Sequence, residues 1–274
     1  MAFEFDKIYV IESLVEGERT GQELYNSVIQ WFENLSSIGT SFHSVEGKEE
    51  LISVLEEIST DCALNGFKPL IHLEIHGLPD KSGLALVQDL ISWEELSFYL
   101  RRINIASRWN LNLTLAVCYG NYLFKTLSLS DPSPVAGFLG SFEEIFLVDF
   151  VPRFEDFYTT LRDNLSLDEA ITAMMNENGE FVNGFTYIDA RKIFANSYNR
   201  YLEEQFSPEA LWRRYVFACD EQSITPSIEM FPSFVQEILG TREHFFERHK
   251  RSFFMIDQFP ENEERFPIFL NEVL

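Results

Sequence analysis

Two apolar runs with the length and composition of buried strands are separated in the sequence by one amphipathic helical segment. The first run spans 70–76 and the second spans 111–118. Each ends on a chemically reactive side chain, His76 in the first run and Cys118 in the second. A strand, a crossover helix and a second strand form the unit from which parallel sheets are built. The pattern therefore constrains the chain to an α/β fold and predicts that the two strands are neighbours.

The same alternation of strands and helices extends toward the N-terminus. Thr20 and Ser92 each precede a glutamate by three residues, which is the spacing of a capping box and predicts two helix starts. Such alternation is typical of a sheet with helices on both faces. Further strands are predicted at 7–14, 41–45, 84–87 and 134–140.

The pattern becomes helical in the second half of the chain. Phenylalanines recur at helical spacing between 142 and 157, and apolar residues then follow helical periods almost to the C-terminus. We predict an α/β three-layer sandwich with a mainly parallel sheet over 1–165, followed by a helical C-terminal region over 166–274. The predicted helices of this region span 166–175, 187–204, 208–220 and 229–250.

The charge balance disfavours one class of partner and favours another. The chain has 21 lysine and arginine residues against 44 aspartate and glutamate residues, a formal net charge of −23. Nucleic-acid binding depends on basic patches that neutralise phosphates, so we do not expect this chain to bind nucleic acid. A protein or peptide that carries lysine or arginine would instead be attracted.

Cysteine usage and the terminal sequence indicate the compartment. Cys62, Cys118 and Cys219 are too few and too widely spaced for a disulfide framework or a zinc motif, which is typical of a reducing environment. The N-terminal residues lack the basic segment of a secretory signal. No apolar run approaches the roughly 18 residues that a membrane helix needs. We therefore expect a cytoplasmic protein with no membrane association.

Cys118 and His76 are the residue types of a nucleophile and its base. An imidazole can take the proton of a nearby thiol, and the resulting thiolate attacks carbonyl carbons. Gly77 follows the histidine directly, and Gly120 lies two positions after the cysteine. The backbone N–H groups of Gly77 and Cys118 are candidate donors to the oxyanion of an acyl-transfer reaction. We predict a catalytic Cys–His pair that requires neither a third residue nor a cofactor.

Two other interpretations fit the same residues. His72, Glu74 and His76 alternate along one strand, so they share a face and could bind a metal ion. Alternatively, a buried strand cysteine and a hydrogen-bonded histidine at a strand end would need no function at all. Parallel sheets normally cover their faces with helices, and α/β sheets place functional groups at the carboxyl ends of strands. We therefore predict the catalytic pair and no metal site.

The pairing of His76-Gly77 with the stretch Ala116-Val117-Cys118-Tyr119-Gly120 resembles the caspase-like cysteine peptidases. These include caspases, metacaspases, gingipains, separases and the bacterial CHAT-domain proteins. The likeness extends in element order over about residues 5–165. The segments 91–96 and 154–170 resemble CHAT-type proteins in amino-acid sequence. The chain departs from the caspase signature Gln-Ala-Cys-x-Gly, since its cysteine follows alanine and valine.

The resemblance implies a caspase-like three-layer sandwich with specific roles for these residues. Cys118 would be the nucleophile, His76 the general base and acid, and the amides of Gly77 and Cys118 the oxyanion hole. The implied function is a cysteine endopeptidase that cleaves a protein partner, within a bacterial defence or regulated-proteolysis system and under a regulatory protein. The alternative is a non-catalytic interaction module on the same fold, for which the aromatic-rich helical half would provide the docking surface.

Overall fold

The structure, a computed structural model, contains a mixed and mostly parallel β-sheet together with many helices. Within the parts of the chain that it describes, no helix has both the length and the apolar character needed to cross a membrane. The described residues are 4–35, 37–145, 147–176, 178–181 and 184–270.

The chain divides into two compact units. Unit 1 comprises Met1–Leu127 and Ser133–Ala190, and unit 2 comprises Ser128–Pro132 and Arg191–Leu274. The last change from unit 1 to unit 2 along the sequence falls between Ala190 and Arg191. Residues 166–190 belong to unit 1 because they add a helix and a sheet strand to it.

Unit 1 contains a sheet of eight strands among the described residues. The strands are β1 (Lys7–Ser13), β2 (Gly39–Ser44), β3 (Pro69–Gly77), β4 (Gly83–Ala85), β5 (Leu90–Ser92), β6 (Asn112–Ala116), β7 (Gly137–Ser141) and β8 (Phe185–Asp189). Their order is β2-β1-β3-β6-β7-β8, while β4 and β5 form a hairpin that extends from β3. The pairs from β2 to β7 are parallel, and β8 is antiparallel to β7. The predicted α/β class with a mainly parallel sheet is confirmed, and β3 and β6 are neighbours.

Helices cover both faces of this sheet, and further helices form unit 2. Short 3-10 turns at Ile29–Trp31 and Gly120–Thr126 supplement them. The α-helices are α1 (Thr20–Ser27), α2 (Phe32–Leu35), α3 (Lys48–Asn65), α4 (Trp93–Ala106), α5 (Leu147–Asn164), α6 (Leu167–Ala173), α7 (Ala190–Gln205), α8 (Pro208–Glu221), α9 (Phe231–Gly240), α10 (Arg242–Phe253) and α11 (Asn262–Arg265).

The two faces of the sheet pack against different helices because strand side chains alternate between them. On one face, Val10 of β1 and Leu70 of β3 are buried in a core that includes Phe157 of α5. On the other face, Tyr9 donates a hydrogen bond to Asp61 of α3 at 3.1 Å. Helices α3 and α4 pack on each other. Two helical layers thus enclose the sheet.

Two local predictions were wrong, each because a distant contact replaces a local one. Thr20 does not cap a helix with its side chain but is the first residue of α1, and its hydroxyl donates to the buried carboxylate of Glu74. Residues 187–189, predicted as the start of a helix, end β8 instead, where Tyr187 pairs with Leu139 of β7. At Ser92, by contrast, the predicted cap is confirmed, since its side chain accepts from the amide of Glu95 at 3.1 Å.

Candidate functional site

The register of β3 and β6 brings the two candidate catalytic residues to one edge of the sheet. The last parallel pair between these strands joins Glu74 to Ala116. His76 and Cys118 lie two residues beyond this pair, each on its own chain segment. Strand β6 ends at Ala116, so Cys118 lies in the turn that follows and not in the strand predicted to reach it. The prediction that both residues emerge at one sheet edge agrees with this register.

A small cavity opens between these two strand ends. Its volume is about 90 Å³, and its lining is mostly aliphatic apart from one carboxylate, one imidazole and one thiol. The volume fits one small side chain or a few waters, which is the scale of a single subsite and not of a whole cofactor. The lining residues are Leu14, Glu74, Ile75, His76, Ala116, Val117, Cys118 and Ile145.

Gly77 forms the tightest contact between the two segments. Its Cα packs against the backbone of Cys118, and a Cβ built at this position would overlap the Cys118 carbonyl oxygen. Glycine is therefore required here by close approach of two backbones, not by an unusual φ angle. The contact places the two predicted oxyanion donors, the amides of Gly77 and Cys118, on touching segments.

The turn after Cys118 is sharp and partly strained. Tyr119 has φ 60° and ψ 18°, the left-handed region that a residue with a Cβ seldom occupies. Gly120 then packs so closely that a Cβ there would lie 3.0 Å from Cβ of Leu115. Positive φ in a non-glycine residue costs roughly 1–3 kcal/mol and is concentrated at functional sites. The turn directs the cysteine side chain out of the strand and toward the cavity.

The thiol of Cys118 contacts one peptide segment besides its own. The amide of Ile145 donates to Sγ at 3.4 Å, and Sγ lies 3.7 Å from the Ile145 carbonyl oxygen, which can accept the S–H proton. The segment that carries Ile145 is itself attached to the turn, because the amide of Tyr119 donates to the carbonyl of Glu143 at 3.1 Å. Backbone groups of the segment after β7 thus hold the thiol, on the side of β6 away from β3.

His76 has a carboxylate partner that the sequence analysis did not identify. Its Nε2 lies 3.2 Å from Oε2 of Glu18, a residue in the loop before α1. Both side chains are open to solvent, at 60% for the histidine and 44% for the glutamate. Among the described residues, no hydrogen bond joins His76 to Cys118. The structure therefore brings the two predicted residues into one cavity without a direct bond between them.

The other two cysteines lie in different surroundings. All three cysteines are free, but Cys62 and Cys219 are buried while Cys118 is partly exposed. Burial raises the pKa of the Cys62 thiol to about 12, and the nearby Asp6 and Asp61 act in the same direction. A thiol of this kind stays protonated at neutral pH and is a poor nucleophile. Of the three thiols, that of Cys118 is the one that is partly exposed.

A buried chain of hydrogen bonds runs beneath the cavity. His72 Nε2 lies 3.0 Å from Oε2 of Glu74, and Nδ1 lies 2.8 Å from the hydroxyl of Thr114. The Thr114 hydroxyl lies 2.7 Å from the Tyr158 hydroxyl. A carboxylate only accepts, so Nε2 carries the proton, and in the neutral ring Nδ1 accepts from Thr114, which accepts from Tyr158. Burial raises the pKa of Tyr158, which keeps this phenol a donor.

A second buried carboxylate, Glu12, lies beside this chain. Its Oε1 accepts from the amide of Gln22 at 3.0 Å, while its Oε2 has no hydrogen-bond partner among the described residues. A Cβ at Gly21 would lie 2.8 Å from Glu74 Oε2 and 3.0 Å from Glu12 Oε1, so the start of α1 sits directly over both carboxylates. Burial raises the pKa of Glu12 above its ordinary value, and the proximity of Glu74 adds to the shift.

The residues of the metal-site interpretation are hydrogen-bonded within the core. His72 and Glu74 are bound to each other and to Thr114 and Thr20, within the layer covered by α1 and α5. The described residues contain no group of three or more His, Cys, Asp or Glu side chains arranged to hold a metal ion. On this strand face, the polar atoms of His72 and Glu74 are therefore engaged in hydrogen bonds within the protein.

Comparison with known proteins adds no further assignment. No family model matches the chain, and no curated protein matches it. The resemblance to caspase-like peptidases therefore rests on the residues and strand arrangement of this chain alone.

Proposed function

We propose that the protein is a cysteine endopeptidase with a caspase-like fold, in which Cys118 and His76 act as nucleophile and general acid–base. One observation carries the proposal: both side chains line one cavity at the carboxyl ends of two adjacent parallel strands. Ligand and catalytic sites of α/β sheets occur at such ends. The tight packing of Gly77 against the cysteine backbone adds a second feature expected of an acyl-transfer site.

The first step transfers the thiol proton to the imidazole and forms a carbon–sulfur bond. Cys118 Sγ attacks the carbonyl carbon of a substrate peptide bond, and the carbonyl electron pair moves to oxygen. The amides of Gly77 and Cys118 are the donors proposed for this oxyanion. His76 then gives its proton to the nitrogen of the leaving amine as the carbon–nitrogen bond breaks, which leaves an acyl-enzyme.

Water completes the cycle. With His76 as base, a water molecule adds to the thioester carbonyl, the carbon–sulfur bond breaks, and the thiol recovers its proton. A new carboxylate and a new amino terminus are the products. The proposed hydrolysis requires no redox change and no cofactor.

Glu18 is the proposed positioning residue for the histidine. A carboxylate at Nε2 favours the tautomer with its proton on that nitrogen, which leaves Nδ1 to exchange a proton with the thiol. It also stabilises the imidazolium that forms during attack. Because both side chains are exposed, the electrostatic effect is screened and is expected to be modest.

The arrangement of the thiol corresponds in this proposal to a resting state. Sγ is hydrogen-bonded to the backbone of Ile145, and His76 is hydrogen-bonded to Glu18 and not to Sγ. Catalytic hydrogen bonds are often loose before substrate binds. A rotation of the exposed His76 side chain within the cavity toward Sγ of Cys118, on substrate binding or by a regulatory protein, would complete the pair.

The proposed substrate is a protein or peptide. The net charge of −23 attracts a substrate with lysine or arginine near the cleaved bond and repels nucleic acid. The cytoplasm is the proposed compartment, where thiols stay reduced.

A non-catalytic interaction module is the second candidate. The missing hydrogen bond between His76 and Cys118 favours it, as does the backbone of Ile145 bound to the thiol. On this alternative, the strand ends would bind a partner segment without cutting it.

Cleavage in a cell lysate tests the two candidates against each other. The purified full chain is incubated with lysate, and new protein N-termini are labelled and identified by mass spectrometry. A peptidase produces a reproducible set of new termini that a Cys118→Ala protein does not produce. A broad cysteine-reactive probe, applied in parallel, should label wild type and lose its main signal in the same variant.

Cys62→Ala is the matched control, because it also removes one thiol but at a buried site outside the cavity. It should cleave as wild type does. New termini that appear equally with the Cys118→Ala protein would overturn the proposal. A wild-type protein that binds a lysate partner stably and generates no termini would establish the interaction module instead.

A further inference from the structure

Helix α9 of unit 2 is apolar but has no buried residue. It contains Phe231, Phe234, Val235, Ile238 and Leu239, yet every residue of the helix retains solvent exposure. Apolar helices in monomeric proteins normally bury such a face. The helix therefore has more apolar surface than the described fold covers.

Helix α8 also has apolar side chains that its core leaves uncovered. Leu211, Tyr215 and Cys219 are buried on one side. Trp212 lies at the edge of this buried side and Phe217 lies beyond it, and they are exposed at 37% for the tryptophan and 66% for the phenylalanine. The connection from α8 to α9 continues this exposure with further apolar side chains. We define the α8–α9 surface as Trp212, Val216, Phe217, Ile224 and Met230, each at least 36% exposed.

The α8–α9 surface is concave and continuous. The rings of Trp212 and Tyr215 pack on Phe231 with centroids 5.0 Å and 5.5 Å apart, which holds the two helices together. One groove of about 530 Å³ lies along α8, and a second of about 400 Å³ lies between α8, the connection and α9. Ile224 lines both grooves, so they form one surface. Their volumes are those of sites that receive several side chains.

Unpaired carboxylates line these grooves. Asp220 lies in the first, and Glu229 and Glu237 lie in the second. Within the described residues none of the three forms an ion pair, and the first groove also contains the cation Arg213. The second groove therefore has only acidic charged residues at its margin, whereas the first has one carboxylate and one guanidinium. A third groove between α8 and α9, also lined by Phe217, contains Arg213 and Arg214. The net charge of the whole chain is −23.

We propose that the α8–α9 surface binds an amphipathic helical segment of another protein, with aromatic or long aliphatic residues on one face and lysine or arginine beside them. The apolar grooves receive the anchor side chains at i, i+3 or i+4, and i+7, as in other helix-in-groove complexes. The carboxylates Asp220, Glu229 and Glu237 receive the basic residues.

Charge complementarity separates this occupant from a second copy of the chain. Two copies would bring acidic margins and two net charges of −23 together, which opposes association. A groove between two helices also presents no unpaired strand edge for an extended peptide. A basic amphipathic helix satisfies both the apolar and the electrostatic character of the surface.

Selection from a displayed library of helical peptides with randomised faces tests this inference on the full chain. Selection uses wild type, with counter-selection against Phe217→Asp. We expect enriched peptides with apolar anchors at helical spacing and an excess of lysine and arginine. The best of them should bind about tenfold or more weakly to Phe217→Asp than to wild type, and more weakly as salt is raised.

Leu64→Asp is the matched control, because it removes an exposed leucine from helix α3 of unit 1 and should leave peptide binding unchanged. Circular dichroism checks that both variants are folded. The inference is overturned if no enriched peptide distinguishes wild type from Phe217→Asp, or if the enriched peptides are acidic. It is also overturned if sedimentation shows a dimer that Phe217→Asp dissociates.

Discussion

Gly77 and the carbonyl group of Cys118 are packed so closely that no side chain fits between them. We predict that Gly77→Ala destabilises unit 1 by about 1–3 kcal/mol, because the strand ends must separate to admit a methyl group. The same change should slow the reaction of Cys118 with a cysteine-reactive probe. Urea unfolding and labelling kinetics measure the two effects.

Gly39→Ala is the control for this prediction. A Cβ at Gly39 would lie 3.5 Å from Cγ of Lys7, an ordinary contact, in a strand of the same sheet. It should leave both stability and labelling nearly unchanged. Equal effects of the two substitutions would mean that the contact at Gly77 has no special role.

Thr114 joins His72 to Tyr158 inside the core. We predict that Thr114→Val lowers the free energy of unfolding by about 1–3 kcal/mol, because two buried polar groups lose their partner. Tyr158→Phe removes only the terminal hydroxyl and should cost less, about 1 kcal/mol. Denaturant unfolding of both variants gives the comparison. The proposed hydrogen-bond chain would be wrong if Tyr158→Phe cost more.

Glu12 predicts a pH dependence of stability. Burial raises the pKa of its carboxyl above the ordinary 4.5, so the folded chain holds this proton more tightly than the unfolded chain. The contribution of this proton to the free energy of unfolding is fully present below pH 4.5, and it is lost as the pH rises through the raised pKa of Glu12. We expect Glu12→Gln to stabilise the protein at pH 7.5 and to have much less effect at pH 4.

Unfolding curves at both pH values test this linkage. A control substitution, Glu16→Gln, changes an exposed glutamate in the loop that follows β1 and should have no pH-dependent effect. A Glu12→Gln protein that is less stable than wild type at pH 7.5 would contradict the prediction.

Glu18 predicts a graded effect on turnover. Because the hydrogen bond between Glu18 and His76 is exposed, we expect Glu18→Gln to lower kcat by about two- to fivefold. His76→Ala should lower it by about a hundredfold or more, since it removes the general acid–base. Glu18→Asp should recover part of the loss, and the effect of Glu18→Gln should diminish in high salt. If Glu16→Gln lowered kcat by the same factor, the effect would come from the loss of one negative charge and not from the contact between Glu18 and His76.

The sequence predicted the features that depend on local pattern. The capping spacing of Ser92 and Glu95 is confirmed, because both partners lie within one turn of helix. The proximity of His76 and Cys118 was predictable because parallel strands align their carboxyl ends, and a single crossover helix lies between the two runs.

Other features depend on contacts between distant segments, and the sequence did not reveal them. Glu18 lies 58 positions before His76, and nothing in its own loop distinguishes it from Glu16. Thr20 has the sequence spacing of a helix cap, but its hydroxyl donates a hydrogen bond to the carboxylate of Glu74 instead. Strand β8 is followed directly by α7, so in the sequence its residues look like the first turn of that helix. Its antiparallel pairing with β7 is what identifies it as a strand.

The reactivity of the Cys118 thiol tests most directly whether it and His76 act as a pair. The measurement is the rate of alkylation against pH in a Cys62→Ala/Cys219→Ala protein, with and without His76→Gln. We predict one reactive thiol at neutral pH, with a rate that falls about tenfold when the imidazole is removed. An identical rate and an identical pH profile in the two proteins would contradict a catalytic Cys118–His76 pair.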